Sequence, residues 1–233
     1  MNTQSENNKV FISGEIISDA EFSHEVYGEG FYEMSVLVKR LSGQGDILPV
    51  TVSERLIEKK DLKIGVTINA LGQFRSYNKL VDGKSKLMLT VFVRELLDAA
   101  PVKNPNSIVL SGYICKVPVY RTTPFNREIA DILIAVNRSY NKSDYIPCIA
   151  WGRNARFAKN LAVGDRIAIS GRIQSREYQK RFSDEDVRVM TAYEVSISKL
   201  SAFENAENFD IDEEFDLLGL AGSSPRFTED LSE

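Results

Sequence analysis

The chain has 233 residues, 43% hydrophobic and 27% charged, which allows one large globular domain or two small ones. No apolar run approaches the roughly 20 residues that cross a bilayer, and the polar start at residues 1–8 lacks the regions of a secretory signal. With only two cysteines, Cys115 and Cys148, and a net charge of −4, a membrane or secreted protein is disfavoured and a reduced cytoplasmic one expected.

The first hundred residues open with Val10-Phe11-Ile12-Ser13-Gly14, followed by Val36-Leu37-Val38-Lys39-Arg40 and Asp46-Ile47-Leu48-Pro49-Val50. These short apolar runs read as strands. A helix is predicted over 54–62, ended by Lys63-Ile64-Gly65. The stretch 99–106, with Pro101 and Pro105, reads as a linker, because proline discourages both regular structures.

Beyond the linker the same landmarks return. Ile108-Val109-Leu110-Ser111-Gly112, Ile134-Ala135-Val136-Asn137-Arg138 and Asp144-Tyr145-Ile146-Pro147-Cys148 each lie 98 residues after their counterparts. Gly164 and Gly171 then follow Gly65 and Gly72 at an offset of 99. Five landmarks with a single slip indicate a tandem duplication. In the second copy strands are predicted near 107–116, 129–138, 144–151, 165–175 and 187–199. A helix over 154–161 is expected to carry Phe157 and Leu161 on one face. The expected organisation is therefore a first domain at 1–98, the linker, a second domain at 107–203 and a tail at 204–233. Five strands with a short helix between the third and fourth is the OB-fold plan. The expected fold class is all-β: two tandem five-stranded OB-fold barrels and a disordered acidic C-terminal tail.

Two strands of the second copy carry chemistry. In Tyr145-Ile146-Pro147-Cys148-Ile149-Ala150-Trp151, alternation turns Ile146, Cys148 and Ala150 into a barrel and leaves Tyr145 and Trp151 outside. In Gly171-Arg172-Ile173-Gln174-Ser175-Arg176-Glu177-Tyr178, the residues Arg172, Gln174, Arg176 and Tyr178 share the outer face. Arginines interleaved with rings on strands that could be neighbours are what a single-stranded nucleic acid needs: cations for phosphates, flat faces for unstacked bases. Charge supports this. Residues 104–203 hold 15 Lys and Arg against 9 Asp and Glu (+6), residues 1–103 hold 13 against 14 (−1), and residues 204–233 hold 1 against 10 (−9). A basic centre with an acidic end fits a nucleic-acid binder.

On these motifs and their order, the second copy resembles the DNA-binding domain of bacterial single-stranded DNA-binding proteins. The resemblance implies that bases stack on Tyr140, Tyr145, Trp151 and Tyr178. Arg138, Arg153, Arg172, Arg176 and Lys180 are the cations expected to meet phosphates. The first copy departs from the pattern, with Leu41, Ile47 and Ser53 in place of Tyr140, Tyr145 and Trp151, and Gln73 in place of Arg172. Only Tyr77 answers Tyr178. That copy is expected to serve assembly or weak auxiliary binding. The resemblance further implies four barrels, reached by a homodimer of this chain.

The tail ends Asp230-Leu231-Ser232-Glu233, without the terminal phenylalanine with which such proteins dock replication and repair enzymes. Inside it, Phe209, Ile211, Phe215 and Leu218 form a candidate partner-binding segment, with Ile211, Phe215 and Leu218 on one face of a short helix. His24 is the only histidine, and no Cys, His and carboxylate set has metal-ligand spacing. There is no phosphate loop or nucleophile elbow. No cofactor, metal or catalytic activity is expected. The leading function is sequence-tolerant single-stranded DNA binding in replication, recombination or repair. A primosome-like or scaffolding OB protein, or an accessory subunit of an enzyme such as a nuclease, is the alternative.

Overall fold

In a computed structural model the described residues are 7–40, 42–59, 62–81, 83–98, 102–181, 187–203 and 211–215. The first copy comprises β1 (Asn8–Ile16), β2 (Glu21–Val26), β3 (Glu29–Lys39), β4 (Gly45–Ser53), α1 (Glu54–Lys59), β5 (Thr67–Val81) and β6 (Lys84–Leu97). The second repeats it with β7 (Asn106–Ile114), β8 (Val119–Thr122), β9 (Glu128–Arg138), β10 (Lys142–Trp151), α2 (Arg153–Ala158), β11 (Arg166–Arg181) and β12 (Val187–Phe203). A last helix, α3 (Ile211–Phe215), lies within the acidic tail.

The strand order is β2-β3-β4-β6-β5-β1-β7-β11-β12-β10-β9-β8, and the extra pairings β1–β3 and β7–β9 close each copy into a five-stranded barrel. Alternation along each strand fills the interiors. Met34, Val36 and Val38 of β3 are buried in the first barrel, and Ile132, Ile134 and Val136 of β9 in the second. The short strands β2 and β8 extend the barrel edge along β3 and β9 and are largely exposed. Alternation does not announce them, because β2 is exposed throughout and β8 turns only Tyr120 toward the core.

The duplication landmarks have physical causes. A Cβ on Gly72 would sit 2.2 Å from the Phe92 carbonyl oxygen, and one on Gly171 2.2 Å from that of Ser196. Both glycines stand at register shifts where β5 and β11 bend to close their barrels. The slip in offset is also visible. The first copy passes from Ser53 straight into α1, whereas Gly152, at φ 52°, intervenes between Trp151 and α2. The second helix differs from expectation: Ala155 and Ala158 are its buried residues, while Phe157 is 45% exposed and Leu161 packs beyond its end. Two alanines let the helix sit close on the barrel.

The barrels are joined back to back. Strands β1 and β7 pair antiparallel, with Val10 opposite Ile108, its own counterpart in the duplication. A local two-fold axis therefore passes through that pair. The symmetry extends to side chains. Asn8 Nδ2 donates to the Phe74 carbonyl (2.8 Å) and its Oδ1 accepts from the Phe74 amide (2.9 Å). Asn106 does the same with Ile173, at 2.7 and 2.9 Å. Asn106 is thus the first residue of β7, although the sequence places it in the linker. The buried Asp46 accepts from the Ser175 amide (2.9 Å) and the buried Asp144 from the Ser76 amide (2.8 Å). In return Ser175 Oγ accepts from the Ile47 amide and Ser76 Oγ from the Tyr145 amide, at 3.1 and 2.7 Å. These reciprocal latches satisfy buried polar groups that would otherwise each cost about 1–3 kcal/mol.

Outside this junction, α3 lies against the outward faces of β1 and β7. Ile211 and Phe215 pack with Phe11 and Val109. Lys9 Nζ is 2.5 Å from Asp212 Oδ1 and 4.7 Å from the centre of the Phe215 ring.

Candidate nucleic-acid interface

The outer face of the second barrel follows from strand alternation. On β10, Ile146, Cys148 and Ala150 are buried, while Tyr145 and Trp151 are 46% and 39% exposed. Ile149, on their side, is nevertheless buried at 6%. On β11, Ile173 is fully buried, Arg176 and Tyr178 point outward, and the Arg176 guanidinium lies 5.9 Å from the Tyr178 ring centre. The two chemistry-bearing strands are not neighbours. β12 runs between them, antiparallel to β11 and parallel to β10, and places Ser196 between Arg172 and Ile149. The rings therefore border a narrow polar strip, on which Glu194 accepts from Gln174 Nε2 at 2.8 Å and lies 3.6 Å from Arg176 Nε.

Tyr140 occupies the three-residue loop between β9 and β10 and is almost fully exposed. It and Asn141 take positive φ, 61° and 53°. A bulky residue rarely tolerates that conformation, so the loop holds a ring in solvent at a backbone cost. Arg138, at the end of β9, places Nη1 3.4 Å from Asp144 Oδ1. Arg153 opens α2 just after Trp151, and Lys180 sits near the end of β11; both are exposed. Arg172 is partly buried beside Arg40 at the barrel junction, which brings its pKa down: burial is the main cause and the Arg40 charge the second. The expected cations thus form three groups: Arg138 by Tyr140, Arg153 by Trp151, and Arg172, Arg176 and Lys180 along β11.

The first barrel reaches into this surface. The latch between Ser76 and Asp144 sets Tyr77 and Tyr145 on adjoining segments of β5 and β10. The Tyr77 hydroxyl donates to Glu33 Oε1 at 3.0 Å, and burial followed by that bond pushes its pKa up to about 12. Leu41, Phe209 and Leu218 lie outside the described residues. Ile211 and Phe215 face β1 and β7 rather than solvent.

With this geometry the comparisons with known proteins agree. Residues 105–202 match the model of the single-strand binding protein family. The second barrel is similar to that family over its whole length. A single-stranded DNA-binding protein of Staphylococcus aureus is 36% identical over 83 residues, covering 33% of this chain and 50% of its own length. Single-stranded DNA-binding protein A of Bacillus subtilis is 34% identical over 83 residues, covering 33% and 48%. The chain thus spans about half the length of the curated relatives it matches. The likeness to the crystal structure of the wild-type single-stranded DNA binding protein from Thermus aquaticus is broader. It covers 87% of this chain and 95% of that one, with a TM-score of 0.66 at 20% identity. At that identity the likeness speaks for the fold alone, and it takes in both barrels.

Sequence reasoning missed three cations at the junction: Arg75 of β5, Arg94 of β6 and Lys142 of β10. One signal was present. The first copy reads Gln73-Phe74-Arg75 where the second reads Arg172-Ile173-Gln174, so arginine and glutamine have exchanged places on one strand face. In each barrel the guanidinium donates to that glutamine, at 2.5 and 3.2 Å. The cation taken to be lost at Gln73 is present two residues further on.

Proposed function

We propose that the chain binds single-stranded DNA without strong sequence preference and shields it during replication, recombination or repair in the cytoplasm, without catalysing a reaction. The observation that carries this reading is the exposure of Tyr140, Tyr145, Trp151 and Tyr178 around one barrel, interleaved with arginines. Rings held in solvent by a barrel with a filled core have no packing role to explain them. Base–aromatic stacking is worth about 1–3 kcal/mol per base and tolerates any base. The names of the relatives that match this barrel point the same way.

Two chains pairing would present four barrels, and the acidic tail is the segment proposed to recruit replication or repair proteins. Recruitment through Ile211 and Phe215 requires α3 to leave β1 and β7, since both side chains are buried there. The binding reading is tested by titrating the chain with a poly-pyrimidine oligonucleotide, using wild type and Trp151→Ala. Sequence-tolerant binding weakened about 5- to 150-fold by the substitution is expected, the equivalent of one lost stack. Equal affinity of the two proteins would remove Trp151 from the interface.

A further inference from the structure

The junction between the barrels contains a cleft of about 450 Å³, with walls from both copies. Arg75 and Arg94 enter it from the first barrel and Arg138, Tyr140 and Lys142 from the second, with Asp144 at its base. Four cations and one carboxylate are among the residues that line it. The Nε of Arg75 and the Oδ2 of Asp144 are buried without a hydrogen-bond partner. The Arg75 guanidinium rests 4.9 Å from the centre of the Phe92 ring, which fixes it as part of the wall.

The two-fold-related cleft is a built-in comparison. It is divided into two adjoining hollows that share Arg40, one of about 410 Å³ with Gln44, Gln174 and Arg176 and one of about 290 Å³ with Lys39, Ser42 and Arg172. Gln44 and Gln174 occupy the positions of Lys142 and Arg75 in the duplication. Two of its three arginines have carboxylates: Arg40 binds Asp46 through two bonds, at 2.7 and 2.6 Å, and Arg176 lies 3.6 Å from Glu194. Both clefts draw cations from the two barrels, and the first adds the exposed ring of Tyr140 where Ser42 lines the second.

We infer that the cleft bearing Tyr140 is a phosphodiester-binding site formed jointly by the two barrels, in which Arg75 and Arg94 of the first barrel hold the backbone of a single strand whose base stacks on Tyr140. Low-dielectric walls concentrate the field of the clustered cations, and an anion relieves their mutual repulsion. The strain is visible on Arg75, whose pKa falls to about 10, chiefly through burial and then through the charge of Arg138. This inference rests on the proposed single-strand binding and gives the first barrel a direct part in it.

The test is the salt dependence of binding to a poly-pyrimidine oligonucleotide, for wild type, Arg94→Gln, Arg75→Gln with Arg94→Gln, and Arg75→Lys. Arg55→Gln on α1, outside the cleft, removes the same charge as a control. Each cleft arginine lost should make the slope of log affinity against log salt shallower by about 0.7, while the control keeps the wild-type slope. Arg75→Lys should retain it. Arg94 is exposed, so its variant reports even if the Arg75→Gln chain is unfolded by circular dichroism. Wild-type slopes in Arg94→Gln and in the double variant, or an equal change in Arg55→Gln, would overturn the cleft while leaving the aromatic face standing. Failure of the wild-type chain to bind the oligonucleotide would overturn both readings.

Discussion

Tyr140 shows how a single residue can be unfavourable for folding and useful for binding. Its φ of 61° suits glycine or asparagine better than tyrosine, and its ring has almost no protein to pack on. Tyr140→Gly should therefore raise thermal stability by up to about 1 kcal/mol while weakening single-strand binding by about 1–3 kcal/mol. Calorimetry and an oligonucleotide titration on the same two proteins measure the opposed signs, and a parallel loss of both would mean the ring is structural. Residue identity and alternation made Tyr145, Trp151, Arg176 and Tyr178 legible in the sequence, because a strand fixes which side faces solvent. The gathering of Arg75, Arg94 and Lys142 in one cleft was not legible, although the exchange of arginine and glutamine at Gln73 and Arg75 was. Lys142 lies opposite Arg138 across the β9–β10 hairpin, but Arg75 and Arg94 meet Arg138 and Tyr140 only because β1 pairs with β7, and nothing local in the chain records that pairing.

Among the elements, α3 has the weakest local support. A helix of five residues has little stability of its own, and docking must supply the rest. Two buried side chains and the Lys9–Asp212 pair hold it on β1 and β7. Replacing Ile211 and Phe215 by alanine should release the segment: limited proteolysis should cut the tail faster, with the barrels' melting temperature nearly unchanged. Unchanged cleavage would show that those side chains do not anchor it. The sequence showed that Ile211 and Phe215 share a helix face, but gave no sign that Phe11 and Val109 would receive them. Periodicity identifies an apolar face and is silent on what covers it. For the same reason β2 and β8 escaped prediction, while the buried alternation of β3 and β9 did not.

At the scale of the molecule, duplication has produced a two-fold frame with unequal halves. The reciprocal Asp46–Ser175 and Asp144–Ser76 latches, with the β1–β7 pairing, should make the barrels melt together. Asp46→Ala leaves the Ser175 amide and Arg40 without their partner and should cost about 1–3 kcal/mol. The same change at Asp144 should bring the two barrels toward separate transitions in calorimetry. A single unshifted transition in the double variant would assign cohesion to the strand pairing alone. Sedimentation at micromolar concentration tests the proposed pairing of chains, with two per particle expected and a lone chain contradicting it. The central claim is that the ring-bearing face of the second barrel stacks bases, and Trp151, the chain's only tryptophan, reports on it directly. In a titration of the full chain with single-stranded DNA, followed independently by anisotropy of a labelled strand, Trp151 emission should be quenched in step with binding; saturated binding with unchanged emission would contradict the claim.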